Sequence, residues 1–123
     1  MKHVEKDEVR EERIIMEIVV DTYGPEEQVL GWYYYLEEHL SFPFQARCVR
    51  ERQLSPLRLG EEIQVEEMAP EDDCRHEMFV MIRWCGREMG VPLSQLEVIG
   101  ADGRTKEAIG DWHYWVDRGY QFG

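Results

Sequence analysis

The chain has 123 residues, of which 26 are acidic and 14 basic, giving a net charge of −12 at pH 7, and 43 % are hydrophobic. That size suits one domain, residues 1–123, and the apolar and aromatic content is too high for a disordered polyelectrolyte. Such acidity argues against nucleic acid or an anionic membrane as partner, because both require clustered Lys and Arg, and it leaves cations and basic proteins.

Residues 1–42 read as helical and residues 43–123 as a small β part followed by a helix. The opening MKHVEKDEVREER has no apolar core of the signal-peptide kind, and no run approaches 18 apolar residues, so a cytoplasmic protein is expected. Over residues 4–23, charges at helical spacing (Glu5, Glu8, Glu12 against Lys6, Arg10, Arg13) give a solvated face before the chain turns apolar at Ile14, Ile15, Ile18 and Val19. Gly24 and Pro25 break that helix, Gly24 by access to positive φ and Pro25 by fitting the first turn of the next. Glu26 and Glu27 then sit where a helix N-terminus favours negative charge.

In the second helix Val29, Tyr33, Leu36 and Leu40 form one apolar stripe, flanked by Trp32, Tyr34 and Tyr35. GWYYYL is expected to be core or interface rather than a stacking platform. Pro43 biases Phe42 toward extended geometry and ends the helical part.

Beyond it the period becomes two. Phe44, Ala46 and Cys48 alternate with Gln45 and Arg47; Ile63 and Val65 alternate with Glu62, Gln64 and Glu66; residues 78–84 are apolar on both sides until Arg83, which suits an internal strand. Gly86 allows a turn into residues 88–91, and residues 96–99 resume pairing after VPLSQL. Short antiparallel strands with that turn suggest a small SH3-like barrel. Thr105 is the expected N-cap of a last helix whose apolar side is Ala108, Ile109, Trp112 and Trp115. The expected fold is therefore α+β: N-terminal helices packed on a small antiparallel SH3-like barrel, with a short C-terminal helix.

Residues 61–77, EEIQVEEMAPEDDCRHE, hold eight of the acidic residues and one basic residue, Arg75, and so carry −7 of the net charge. Two carboxylates at about 5 Å repel by roughly 3 kcal/mol at an effective dielectric of about 20, a cost a divalent cation would turn into binding energy. Glu67, Glu71, Asp72 and Asp73 can supply carboxylates and the irregular turn after Pro70 carbonyls, the hard oxygen ligands calcium takes. Glu37 and Glu38 form a second candidate site. At the C-terminal end of a helix each is misplaced by about 0.3–1 kcal/mol, which a bound cation would remove and His39 partly offsets. Asp102, in a DG turn, is a weaker candidate ligand. The bland alternative is a solvated acidic loop and a simply exposed helix end.

No segment fits the EF-hand loop, so any calcium site is built otherwise. Zinc is disfavoured because Cys74, His76, Cys85 and His113 are scattered, with no CxxC, HxxxH or HExxH. A Cys–His nucleophile is equally unsupported, phosphate loops and G-x-S-x-G are missing, and no enzyme is expected. The three cysteines are expected to be reduced thiols. Arg47, Arg50, Arg52 and Arg58 form the only basic cluster and are expected to pair with the acidic segment that follows.

Through GWYYYLEEHLSFPFQARC, SPLRLGEEIQVEEMAPEDDC, MFVMIRW, VPLSQLEVI and AIGDWHYWVDRGYQF, spanning about residue 13 to the C-terminus, the chain resembles the CcbP family of cyanobacterial calcium-binding proteins that lack EF-hands. The resemblance implies a small acidic, cytoplasmic, non-enzymatic protein that buffers or sequesters calcium in signalling. It carries over Glu38, Glu71, Asp72 and Asp73 as candidate ligands, with Glu37, Glu67 and Asp102 beside them. The competing expectation is an acidic interaction module that docks a basic protein without metal.

Overall fold

A computed structural model describes residues 5–120 and residue 122. The start of the first helix near Val4 and the Gln121 of the last quoted motif lie outside them. Helix α1 (Glu8–Arg13) is capped by Asp7, whose carboxylate accepts the Arg10 N–H, and runs on as a π-helical turn (Ile14–Ile18). The solvated face expected here is corrected in part. Glu11 is buried and accepts from the Tyr114 and Tyr120 hydroxyls, while Arg10 and Arg13 turn inward to Asp111. Their partners lie about a hundred residues away, so local charge spacing could not show the pairing. Ile14 and Ile18 are in the core and Ile15 is exposed.

Helix α2 (Pro25–His39) starts with Pro25 in its first turn as expected. Gly24, however, is fully extended at φ −177°, so it is not the positive-φ residue of this turn. That role falls to Asp21, at φ 57°. Glu27 closes the helix start by accepting the Tyr23 N–H at 2.8 Å. The stripe Val29, Tyr33, Leu36 and Leu40 is buried, joined by Trp32 and Tyr35, whereas Tyr34 is exposed.

Strands β1 (Phe44–Cys48), β2 (Glu62–Met68), β3 (Phe79–Trp84), β4 (Arg87–Pro92) and β5 (Leu96–Ile99) form one antiparallel sheet in the order β4-β3-β2-β1-β5. Phe44, Ala46 and Cys48 point inward on β1 as their alternation predicts. The barrel expectation needs correction, because β4 and β5 are the two edges and no pairing joins them. The sheet is nonetheless curled. Only Leu93–Gln95, a 3-10 turn, connects its edges, and the four steps from Pro92 to Leu96 reach about 14 Å, against about 19 Å across a flat five-stranded sheet.

Helix α3 (Gly103–Asp117) buries Ala108, Ile109, Trp112 and Trp115. Trp32 of α2 meets Trp112 edge-on at 5.0 Å and Trp115 at 5.5 Å, so the two helices share an aromatic seam. Asp102 caps α3, taking the Thr105 N–H at 2.7 Å. Thr105 is therefore not the cap but a buried first-turn residue, whose hydroxyl accepts the Ser41 N–H.

At Gly31 the π-helical turn touches α2 backbone to backbone: a Cβ there would fall well inside contact distance of the Ile18 carbonyl oxygen. Gly31→Ala is accordingly expected to destabilise by about 1–3 kcal/mol in a denaturant melt, although Ala gains about 1 kcal/mol in helix propensity. Gly110→Ala is the control, because its Cβ would meet only the flexible end of Arg10 at 2.9 Å. A neutral or stabilising Gly31→Ala would show that the two helices do not pack this closely.

Candidate metal centre

On α2, Tyr33 and Glu37 share one face, four residues apart, and Tyr34 and Glu38 share the next. Tyr33 is buried and its hydroxyl donates to the Ala69 carbonyl at 2.6 Å, tying the helix to the end of β2. One residue on, Pro70 opens a 3-10 turn (Glu71–Cys74) whose first N–H bond is Asp73 N–H to the Pro70 carbonyl, 2.9 Å. Cys74 closes the turn from beneath. Its thiol is fully buried, with Sγ 3.4 Å from the Phe79 amide nitrogen. The turn is thus anchored at both ends, and Glu71, Asp72 and Asp73 project from it into solvent.

The tyrosines report what surrounds them. Burial pushes the Tyr33 hydroxyl up to about 12, and the negative charges of Glu37 and Glu71 add to the shift. Tyr34 is also raised, first by hydrogen bonding to Glu71 and then by the charges of Glu71 and Glu37. Two carboxylates that lie 34 positions apart in the chain therefore act on the same pair of hydroxyls, which places the end of α2 beside the acidic turn. Neither Glu37 nor Glu71 has a cation within 4.0 Å among the described residues.

The other candidates sit differently. Glu38 lies 3.8 Å from Arg104, so its misplacement at the helix end is offset by α3, while the His39 ring bonds the Tyr35 carbonyl at 2.8 Å. Asp102 is engaged as the α3 cap and accepts from the Ser41 hydroxyl at 2.7 Å; bonds from Thr105 and Ser41 hold its pKa below the ordinary carboxylate value. Asp72 is paired with Arg75 at 3.3 Å, both exposed. Glu67 is exposed on β2 opposite Met81, just after a bulge. Among the described residues no three His, Cys, Asp or Glu side chains converge closely enough to hold an ion as they stand. Calcium also accepts carbonyls and waters. One carbonyl is at hand, since the Ser41 N–H, which would continue the helix ladder to Glu37, goes to Thr105 Oγ1 instead.

The zinc and nucleophile constellations do not assemble. Cys74 faces Phe79, His113 bonds the Leu96 carbonyl at 2.6 Å, Cys85 is exposed on the β3–β4 turn, and His76 lies beside Glu71 and Asp72 in a surface groove. No hydrogen bond joins any two of them among the described residues. In the basic cluster, Arg47 pairs with Glu62 and Arg52 with Glu77 as expected, but Arg50 turns to Asp117 of α3. Sequence reasoning missed Tyr33 and Tyr34 as the link between the two acidic elements. Their place one helical turn before Glu37 and Glu38 is the available signal.

Residues 12–116 match the family model for CcbP, described as calcium binding. The crystal structure of CcbP from Anabaena is 41 % identical with a TM-score of 0.87, covering 99 % of this chain and 100 % of the other. A second solved structure, a calcium binding protein in the calcium-binding form, is 42 % identical with a TM-score of 0.82 over the same shares. No curated protein matches the chain significantly. Among the described residues no helix is long and apolar enough to cross a membrane.

Proposed function

The chain belongs to the CcbP calcium-binding family and is a calcium-binding protein rather than an enzyme; from that premise we propose that calcium is held between the end of α2 and the acidic turn, with Glu37 and Glu71 as its principal carboxylates. The supporting observation is that both act on the same two tyrosines while lacking a cation of their own. Asp72 and Asp73 lie next to Glu71 and add charge, and the Glu37 carbonyl and waters can fill out a shell of six to eight oxygens. Glu38, Glu67 and Asp102 stand at the periphery, Glu38 and Asp102 already engaged by Arg104, Ser41 and Thr105.

Because the turn is pinned by Tyr33 and Cys74, binding needs rotation of exposed side chains rather than refolding. That supports a buffer in preference to a sensor. The free cysteines suit a reducing cytoplasm. Calcium at a hundredfold excess over Kd should stabilise the fold by about 2.7 kcal/mol, read as a rise in melting temperature larger than magnesium gives, since magnesium sheds its water reluctantly. No heat in a calorimetric titration and no thermal shift at millimolar calcium would contradict the assignment.

A further inference from the structure

The outer side of α2 carries a surface that calcium binding does not account for. Leu30 and Tyr34, one helical turn apart, are 41 % and 53 % exposed, and Val20 from the segment before α2 is 45 % exposed beside them. These three line a groove of about 390 Å³ whose rim is Glu17, Glu27 and Glu38. On the other side of Leu30 a second groove, about 460 Å³, continues over Val29 and Phe122 to Glu26, Glu71 and Asp72, with His76 and Arg75, which pairs with Asp72, also in its wall. Leu30 lines both, so the two grooves form one surface across the helix, apolar at its centre and with Glu17, Glu26, Glu27, Glu38 and Glu71 at its margins against the single cation Arg75 among the described residues. Glu17 and Glu26 have no cation within 4.0 Å among the described residues.

We propose that this surface docks a cationic amphipathic helix presented by a partner protein. The apolar strip fits the Leu or Phe face of such a helix, and the carboxylate rim fits Lys and Arg along its edges. Charge complementarity selects this occupant. A second copy would bring the same acidic rim against itself in a protein of net charge −12, and juxtaposed like charges cost several kcal/mol. The surface shares Tyr34, Glu71 and Asp72 with the candidate metal centre, whereas Val20, Leu30, Glu17 and Glu26 lie outside it, so the test is run without calcium and its variants are placed at Leu30, Glu17 and Glu26.

The test uses the full chain in chelator and a labelled 18-residue Leu/Lys peptide with an amphipathic helical pattern, against a scrambled peptide of the same composition. Anisotropy titration at about 0.15 M salt is expected to show the patterned peptide binding at least fivefold more tightly. Leu30→Ser, at a position outside the core, is expected to remove that preference at unchanged net charge, and the Glu17→Gln, Glu26→Gln double variant to weaken the patterned peptide at least threefold. Equal binding of both peptides, or a preference that survives Leu30→Ser, would overturn the proposal and reduce the effect to general attraction between opposite charges. A loss of fold in Leu30→Ser is checked by circular dichroism, and amide shift mapping on the wild type then decides the outcome. Shifts confined to residues 17–38 and 71–76 support the site, and shifts spread over all acidic faces refute it.

Discussion

Asp111→Asn is expected to lower the free energy of unfolding by about 3 kcal/mol, the low end of what breaking a buried ion pair costs. Asp111 is fully buried and takes a forked interaction from Arg13, Nη2 at 2.7 Å and Nε at 3.0 Å, with Arg10 at 3.2 Å and the Tyr35 hydroxyl at 3.0 Å. Its hydrogen bonds, and then its charge, hold the Arg13 guanidinium above its ordinary pKa, and after burial its charge is the main reason that the Tyr35 hydroxyl is raised. An amide in its place keeps the shape but takes the counter-charge from Arg10 and leaves Arg13 with only the half-exposed Glu107 at 3.6 Å. The low end applies because Arg10 and Arg13 are partly exposed and can turn toward water. A urea melt should show the loss, and Arg13→Met combined with Asp111→Asn should cost less than the sum of the single changes. A loss below about 1 kcal/mol would mean that the clamp between α1 and α3 adds little.

Glu71→Gln is expected to weaken calcium at least tenfold, about 1.4 kcal/mol, and Glu37→Gln by a similar factor. Each keeps an oxygen but removes a charge from a site whose affinity follows its count of charged ligands. Stability without metal should stay unchanged or rise, because repulsion between neighbouring carboxylates is relieved. That pattern, lost binding with retained stability, is the opposite of the one expected at Asp111. Asp102→Asn should leave calcium within about threefold, since Asn caps helices as well as Asp does. Titration calorimetry on the four proteins reads all of this. Tenfold loss at Asp102 with none at Glu37 and Glu71 would move the site to the start of α3.

The sequence and the fold agree most closely where the signal is local. Alternation at Phe44, Ala46 and Cys48 marked β1, Pro25 marked the start of α2, and Trp112 and Trp115 marked the buried side of α3. What stayed hidden depends on partners far apart in the chain. Arg13 meets Asp111 across 98 residues and Tyr33 meets Ala69 across 36, and neither contact leaves a trace in residue spacing. Asp102 and Thr105 both suit an N-cap by composition, and only the 2.7 Å bond between them says which residue caps which. The barrel was misjudged because strand count and turn chemistry set pairing between neighbours, whereas closure depends on how far the edges curl. For the metal centre, excess charge pointed to the acidic turn and the helix macrodipole to Glu37 and Glu38. Charge alone could not show that Glu37 and Glu71 act on the same two tyrosines while Glu38 turns to Arg104.

The most direct test is a crystal structure of this chain grown with calcium, read for the oxygens around each ion. An ion with carboxylate oxygens of both Glu37 and Glu71 at about 2.3–2.6 Å, and Tyr33 still bonded to Ala69, is the result predicted. Calcium bound with neither of these carboxylates in its shell would contradict the central claim.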